Sequence, residues 1–446
     1  MQFWFVSRGG ELGIFDDEAL TLDKLETINP VTAIAMKQMD TSNKSQLENQ
    51  LAIEGGVPVR RTLLPYGKQL IDDEDRKAVD SVLRGDWLTT GPHVKAFEDA
   101  ITDFTGAKHG VAVSTGTAAL HAALHSVDIA PGDEVIVPAI SFVATSNCVL
   151  YMGAKPVFAD LQKEALNISP EEIQKKITPR TRAIVAVDFA GHPCDHDAIR
   201  AIAKQHSLTV VSDAAHSLGA TYKGRNVGVL QDLTALSFHP VKHITTGEGG
   251  MVLSDDIEID KRLRSFRHHG IDLDFHKRNH GQTWQYDVVT LGFNYRIPDI
   301  NCALGTAQMQ KLPGWLKRRR EIAAAYAKAL SDLDTIDVPT EQSGCESAWH
   351  LYVVRLNLDR LTVGRKEFFA ALRAENIGVN VHYIPIPWMS YYHSLGYRPG
   401  DWPVAEAEYE RMISLPIFPA MTDQDVDDVV AAVKKVSNAY RSRTNP

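Results

Sequence analysis

From position 63 onward the chain repeats one pattern: a short run of apolar residues, a turn, then a longer stretch in which apolar residues return every third or fourth place. The short runs suit buried strands and the longer stretches amphipathic helices. Helices are expected over 72–83, which opens on a cluster of acids, and over 94–104, 117–126, 141–152, 170–177 and 198–205. Between them, strands are expected at 111–113, 134–137, 157–159, 183–187 and 209–212. This alternation predicts an α/β fold with a mostly parallel central sheet flanked by helices. In such sheets ligands gather at the carboxyl ends of the strands. After Asn301 the pattern changes. A long helix to about 330 is followed by an apolar run at 351–356, a helix at 365–375, the stretch 379–383 and a last helix at 423–440. That predicts a large domain over 53–310 and a smaller C-terminal α+β domain over 311–446.

Residues 1–52 do not share the rhythm. Asp40-Thr41-Ser42-Asn43-Lys44-Ser45-Gln46 has the composition of a linker, and the segment is expected to be a poorly ordered extension, with Met36 and Met39 as alternative starts. Phe3-Trp4-Phe5-Val6 is too short for the apolar part of a signal peptide and has no basic residue before it. The 446 residues, 44% hydrophobic and 23% charged, suffice for an extended core. A net charge of −9 argues against a general nucleic-acid surface. No apolar run approaches the roughly 20 residues a membrane span needs. Cys148, Cys194, Cys302 and Cys345 are widely spaced, without a disulfide or metal-ligand pattern, so reduced thiols in a cytoplasmic protein are expected.

The candidate chemistry follows the expected strands. Val210-Val211-Ser212-Asp213 ends an apolar run in a carboxylate, which is costly to bury without a cationic partner. Downstream, Ser237-Phe238-His239-Pro240-Val241-Lys242 leads into Thr245-Thr246-Gly247-Glu248-Gly249-Gly250 and sets a lysine between a strand end and a glycine-rich turn. A strand-end aspartate followed by a loop lysine is what an enzyme needs to hold pyridoxal 5'-phosphate. Asp213 keeps the ring nitrogen protonated and Lys242 forms the Schiff base. Ser114-Thr115-Gly116-Thr117 begins a helix, where free N–H groups and the helix dipole bind phosphate; an ordinary helix cap is the alternative. Phe142 is the candidate aromatic face for a planar ring, with a core aromatic as the alternative. His216 lies within reach of a phenolic oxygen, and Ser237 within reach of the phosphate. Arg267-His268-His269-Gly270 and Asn380-Val381-His382-Tyr383 could line a substrate cleft, and Gly292-Phe293-Asn294-Tyr295-Arg296 reads as a polar turn before the long helix. The histidines lack carboxylates at metal-site spacing, so no metal is expected.

From about Ile53 to its end the chain resembles the DegT-type sugar-nucleotide aminotransferases. The resemblance rests on Leu64-Pro65-Tyr66-Gly67-Lys68-Gln69, Trp87-Leu88-Thr89-Thr90-Gly91-Pro92, Ser237 through Gly250, Asn294-Tyr295-Arg296 and Val381-His382-Tyr383-Ile384-Pro385. It implies the PLP-dependent aminotransferase fold type I, with Lys242 joined to the cofactor, Asp213 at the pyridine nitrogen and His216 beside the phenolic oxygen. Thr115, Gly116, Thr117 and Ser237 would hold the phosphate. Asn294 would reach the cofactor of a neighbouring subunit, making a homodimer with shared active sites. Tyr66, the loop of Trp87, Leu88, Thr89 and Thr90, and the run Asn380, Val381, His382 and Tyr383 would contact the sugar nucleotide. The implied reaction, in pseudaminic acid biosynthesis, moves an amino group from L-glutamate to the C4 ketone of a UDP-linked 4-keto-6-deoxy-N-acetylhexosamine. Two alternatives stand beside it: another UDP- or TDP-linked keto sugar, and a non-catalytic cofactor-binding regulator. Dehydrating relatives carry histidine where Lys242 stands, and the first 50 or so residues show neither a helix-turn-helix pattern nor a basic surface. That segment also has no counterpart in the resemblance.

Overall fold

The apolar runs become the strands of a seven-stranded sheet in the computed structural model, which describes residues 4–6, 12–14, 47, 49–272 and 284–442. The expected linker at 40–46 and the methionines Met36 and Met39 lie outside the described residues. The chain divides into two compact units, Met1–Pro58 and Val59–Pro446. The first contains an antiparallel pair, Trp4–Val6 with Leu12–Ile14, and one helical turn at Ala52–Glu54 closed by Gly55.

The second unit holds the sheet. Its strands are β1 (His109–Val113), β2 (Glu134–Pro138), β3 (Lys155–Ala159), β4 (Thr181–Val187), β5 (Thr209–Asp213), β6 (Leu233–Ser237) and β7 (Gly250–Ser254), in the spatial order β1-β7-β6-β5-β4-β2-β3. The run from β6 to β3 is parallel, and β7 is antiparallel to both neighbours. Every residue of β2 and β7 is buried, the mark of a sheet covered on both faces. The covering helices are α1 (Asp73–Leu83), α2 (Pro92–Thr105), α3 (Gly116–Ser126), α4 (Ala144–Tyr151), α5 (Pro170–Lys176), α6 (His196–His206) and α7 (Ile257–Phe266). Asp72, the first acid of the expected 72–83 helix, caps α1 by accepting from Glu74 and Asp75 N–H.

A single helix, α8 (Asp299–Leu330), packs against α1 and α2 and then against α10 (Asp423–Tyr440). The division placed at 310/311 therefore falls inside one helix. Beyond it lies a small antiparallel sheet of β8 (Ile336–Asp337), β9 (Tyr352–Leu356) and β10 (Met412–Leu415), accompanied by α9 (Arg365–Ala374). Two local readings change. Gly250 belongs to β7 rather than to a turn. The helix expected from 141 starts at Ala144, because Ser141 to Val143 form the loop that leaves β2. The stretch 379–383 pairs with β10 only at Asn380 and Ser414. Among the described residues no helix is long and apolar enough to cross a membrane.

Candidate active site

Parallel strands deliver their C-terminal residues to one edge of the sheet, and the chemistry-bearing residues arrive there. Asp213 ends β5, Ser237 ends β6, and Phe142 lies in the loop after β2. Asp213 is buried; its Oδ2 accepts from Thr145 Oγ1 at 2.7 Å and its Oδ1 from Ala215 N–H at 3.3 Å. Ser141 lies 2.7 Å from the Thr145 hydroxyl, and since that hydroxyl has donated its proton to Asp213, Ser141 donates to it in turn. Burial pushes the Asp213 carboxyl up despite these bonds and the charge of Lys242. No ion pair among the described residues holds Asp213, so the site provides an anion that calls for a cation.

Lys242 sits in the loop between β6 and β7, its N–H donating to His239 O at 2.9 Å. Loss of water around the amine lowers its pKa to about 8, and Asp213 limits the fall. His216, 4% exposed, follows Asp213 by one turn; its Nε2 lies 3.2 Å from Tyr383 Oη, and its Nδ1 has no hydrogen-bond partner. Burial, with Lys242 next, holds His216 well below its ordinary value. Tyr383 faces Phe142 at 6.1 Å between ring centres, and Phe142 is 55% exposed. His382 donates or accepts with Ser414 Oγ at 2.8 Å and lies 5.3 Å from the Tyr66 ring; burial pushes its pKa down to about 4.

Thr115 caps α3, its hydroxyl accepting from Ala118 N–H at 3.0 Å, with Gly116 and Thr117 in the first turn. A side chain on Gly116 would lie 2.7 Å from Ser237 Cβ, so glycine is what lets the helix N-terminus and the end of β6 meet. Asn294 is exposed and pairs with His268, while the carbonyl of its neighbour Tyr295 accepts from Ser114 N–H at 2.9 Å. Asn380 uses its backbone to pair with Ser414, and its side chain accepts from Val381 N–H at 2.8 Å.

The loop of Trp87 to Thr90 belongs to a different setting. Leu88 O accepts from Asp299 N–H, and Thr89 pairs with Pro298 at the start of α8. Trp87 and Thr90 line a cleft of about 1380 Å³ with Arg267, His268 and Arg296, and that lining includes neither Lys242 nor Asp213.

Several supporting residues carry no sequence signal of their own. Thr145 comes from the first turn of α4. His350, 5% exposed, lies 4.3 Å from the His216 ring, and its Nδ1 is also unpartnered. Arg319 of α8 is 2% exposed and donates to the carbonyls of Trp349, His350 and Ile417 at 3.0, 3.3 and 2.9 Å. Desolvation lowers its pKa to about 10. Asp188, fully buried, takes hydrogen bonds from Ser217 Oγ and Cys194 N–H beneath the turn that carries Asp213 and His216. Among the described residues no group of histidine, cysteine and acid side chains could hold a metal.

The residues fit pyridoxal phosphate on the structure's own terms. A buried carboxylate in no ion pair among the described residues, a half-buried lysine of lowered pKa, an exposed aromatic face and a helix N-terminus opened by glycine meet the ring nitrogen, carbonyl, ring plane and phosphate of that molecule. Fold and site thus define a PLP-dependent aminotransferase. Residues 69–434 match the DegT/DnrJ/EryC1/StrS aminotransferase family, and the chain belongs to that family. Its members are sugar aminotransferases that use pyridoxal phosphate.

The spore coat polysaccharide biosynthesis protein SpsC of Bacillus subtilis is 41% identical over 85% of this chain and 98% of its own length. A putative sugar aminotransferase of Streptococcus pneumoniae, solved in its PMP form, superposes with a TM-score of 0.80 at 31% identity, covering 84% of this chain and 99% of that one. Helicobacter pylori PseC, an aminotransferase involved in the biosynthesis of pseudoaminic acid, superposes with a TM-score of 0.79 at 32% identity, over 85% of this chain and all of that one.

Proposed function

We propose that this sugar aminotransferase acts on UDP-2-acetamido-2,6-dideoxy-β-L-arabino-hex-4-ulose with L-glutamate as amino donor. The product is UDP-4-amino-4,6-dideoxy-N-acetyl-β-L-altrosamine. The observation that carries this reading is the likeness to PseC along its whole length, joined to the Tyr66 and Asn380–Tyr383 segments meeting through His382. Bound pyridoxal phosphate supplies the carbonyl that takes up the amino group and a ring that stabilises negative charge on the adjacent carbon. The chain's own residues do the rest. Asp213, buried and in no ion pair among the described residues, holds the ring nitrogen's proton. Lys242 moves a proton between the carbon centres, for which its amine must be neutral, and burial makes it so near pH 8. Thr115, Gly116, Thr117 and Ser237 hold the phosphate, Phe142 covers the ring, and His216 serves the phenolic oxygen.

The same reading makes the functional unit a homodimer in which Asn294 reaches the partner's cofactor. Trp284, Val289 and Leu291, exposed by 85, 62 and 80%, support it as an apolar stretch that a second subunit would cover. The loop of Trp87 to Thr90, whose two ends line the cleft beside Arg296, then contacts the sugar nucleotide at the subunit boundary.

The greater identity to SpsC favours a second reading, a different nucleotide-linked keto sugar. Incubation with glutamate and a panel of UDP- and TDP-linked keto sugars separates the two. Release of 2-oxoglutarate with the UDP-linked 4-keto-6-deoxy-N-acetylhexosamine alone is expected, and turnover of only a TDP-linked sugar would overturn the first reading. Lys242→Ala is expected to abolish turnover and the visible absorption of covalently held cofactor.

A further inference from the structure

The Asp213–Lys242 centre leaves one polar atom unexplained on each of two adjacent, mutually tilted imidazoles. His216 and His350 lie 4.3 Å apart at 37°, both are more than nine-tenths buried, and neither Nδ1 has a hydrogen-bond partner. The outer nitrogen of His216 is accounted for: Nε2 meets Tyr383 Oη at 3.2 Å. Burial raises the Tyr383 pKa far above the ordinary phenol value, so the phenol keeps its proton. His216 Nε2 is the phenol's hydrogen-bond partner in the described structure, and a neutral imidazole has one nitrogen able to accept. With Nε2 accepting from that phenol, the ring's own proton is left on Nδ1, the atom with no protein acceptor.

His350 cannot drift from this arrangement. Its carbonyl is bound by Arg319, which also fastens Trp349 and Ile417, and its ring is enclosed beside His243 at 5.6 Å. A flat, buried ring lying against His216 fixes the plane in which Nδ1–H points.

We propose that Tyr383 and His350 are positioning residues that set the tautomer and plane of His216, so that its Nδ1–H is presented as a donor to an anionic oxygen of the bound ligand. The inference rests on the cofactor reading given above and deepens it. Tyr383 thereby has a role in cofactor electronics besides the substrate contact assigned to its segment.

The test uses 15N-histidine-labelled protein, with and without pyridoxal phosphate, and His216→Gln to assign the His216 signals. The native protein is expected to show His216 protonated at Nδ1 and bare at Nε2. Tyr383→Phe removes the donor without changing the ring, and is expected to mix the two tautomers. It is also expected to move the midpoint of the pH titration of the bound cofactor's visible absorption by about half a pH unit or more. His350→Ala is expected to move that midpoint too, and His350→Phe, which keeps a flat ring in place, to restore it. His216 protonated at Nε2 in the native protein, or a Tyr383→Phe protein with unchanged tautomer and midpoint, would overturn the proposal. Failure of the native protein to bind pyridoxal phosphate at Lys242 would instead sink the cofactor reading, and the tautomer measured without cofactor would still decide the relay.

Discussion

Lys242 concentrates the residue-scale physics of this protein. Its amine is surrounded by protein on most sides, and the carboxylate of Asp213 offsets only part of the cost of keeping it charged, which brings its pKa from 10.5 to about 8. Only the neutral amine attacks a carbonyl, so capture of pyridoxal phosphate by cofactor-free protein should speed up as pH rises and level off above about 8. Stopped-flow absorbance after mixing gives the rate, and a profile still climbing steeply near pH 10 would show an ordinary, hydrated lysine. Asp213 was legible in the sequence because it ends an apolar run, and Lys242 because it stands between a strand end and a glycine-rich turn. Thr145, the hydroxyl that holds Asp213, was not, since it comes from the first turn of α4, 68 positions away. The same holds for His350, whose approach to His216 is created by packing alone.

At the scale of elements, helix ends matter more than helix middles. Gly91 precedes α2 and has no side chain to cap it, and a side chain there would collide with Trp87 and Asp299. Asp299, from the first turn of α8, supplies the missing cap, accepting from Gly91 N–H at 2.8 Å and His93 N–H at 2.9 Å. Asp299→Ala leaves two half-buried donors unmet and should cost about 1–2 kcal/mol. The expected result is a lower urea midpoint at unchanged m-value; an unmoved midpoint would mean those N–H groups find other acceptors. The helices over 72–83 and 423–440 were readable because acid-rich starts and apolar spacing agree there. The strand β7 was hidden because Gly250 opens it directly after Gly247 and Gly249, and a glycine-rich run reads as a turn.

For the whole molecule, the notable load is a core that contains uncharged histidines. His216, His243 and His350 are buried and their pKa values lie well below 6.5, with desolvation the leading cause for each. In the unfolded chain each would take a proton as pH falls through about 6.5, so the unfolded state binds more protons and stability drops. The slope is about 1.4 kcal/mol per pH unit for each imidazole. Asp213 acts in the opposite sense, since its raised pKa lets the fold hold a proton that the unfolded chain has already lost, but it is one group against three. Cofactor-free protein should therefore lose stability steeply between about pH 6.5 and 5, read from urea midpoints at stepped pH, and a flat profile would contradict the buried neutral cluster. The parallel sheet and its ligand-bearing edge were legible from alternation alone. The order of strands across it was not, because sequence spacing does not say which neighbour a strand chooses.

Arg319 gives the interior a property that surface charges cannot. Its pKa, lowered to about 10, still leaves it cationic at neutral pH, and three backbone carbonyls take the place of water around it. Its field reaches His243 and His350, beside the cofactor edge. Ions in the buffer gather around exposed charges and mute them within about 10 Å, but they cannot enter a sealed core. The effect of Arg319 on His243 and His350 is therefore a constant of the fold, present at high salt as at low, while the attraction of the surface arginines fades as ionic strength rises.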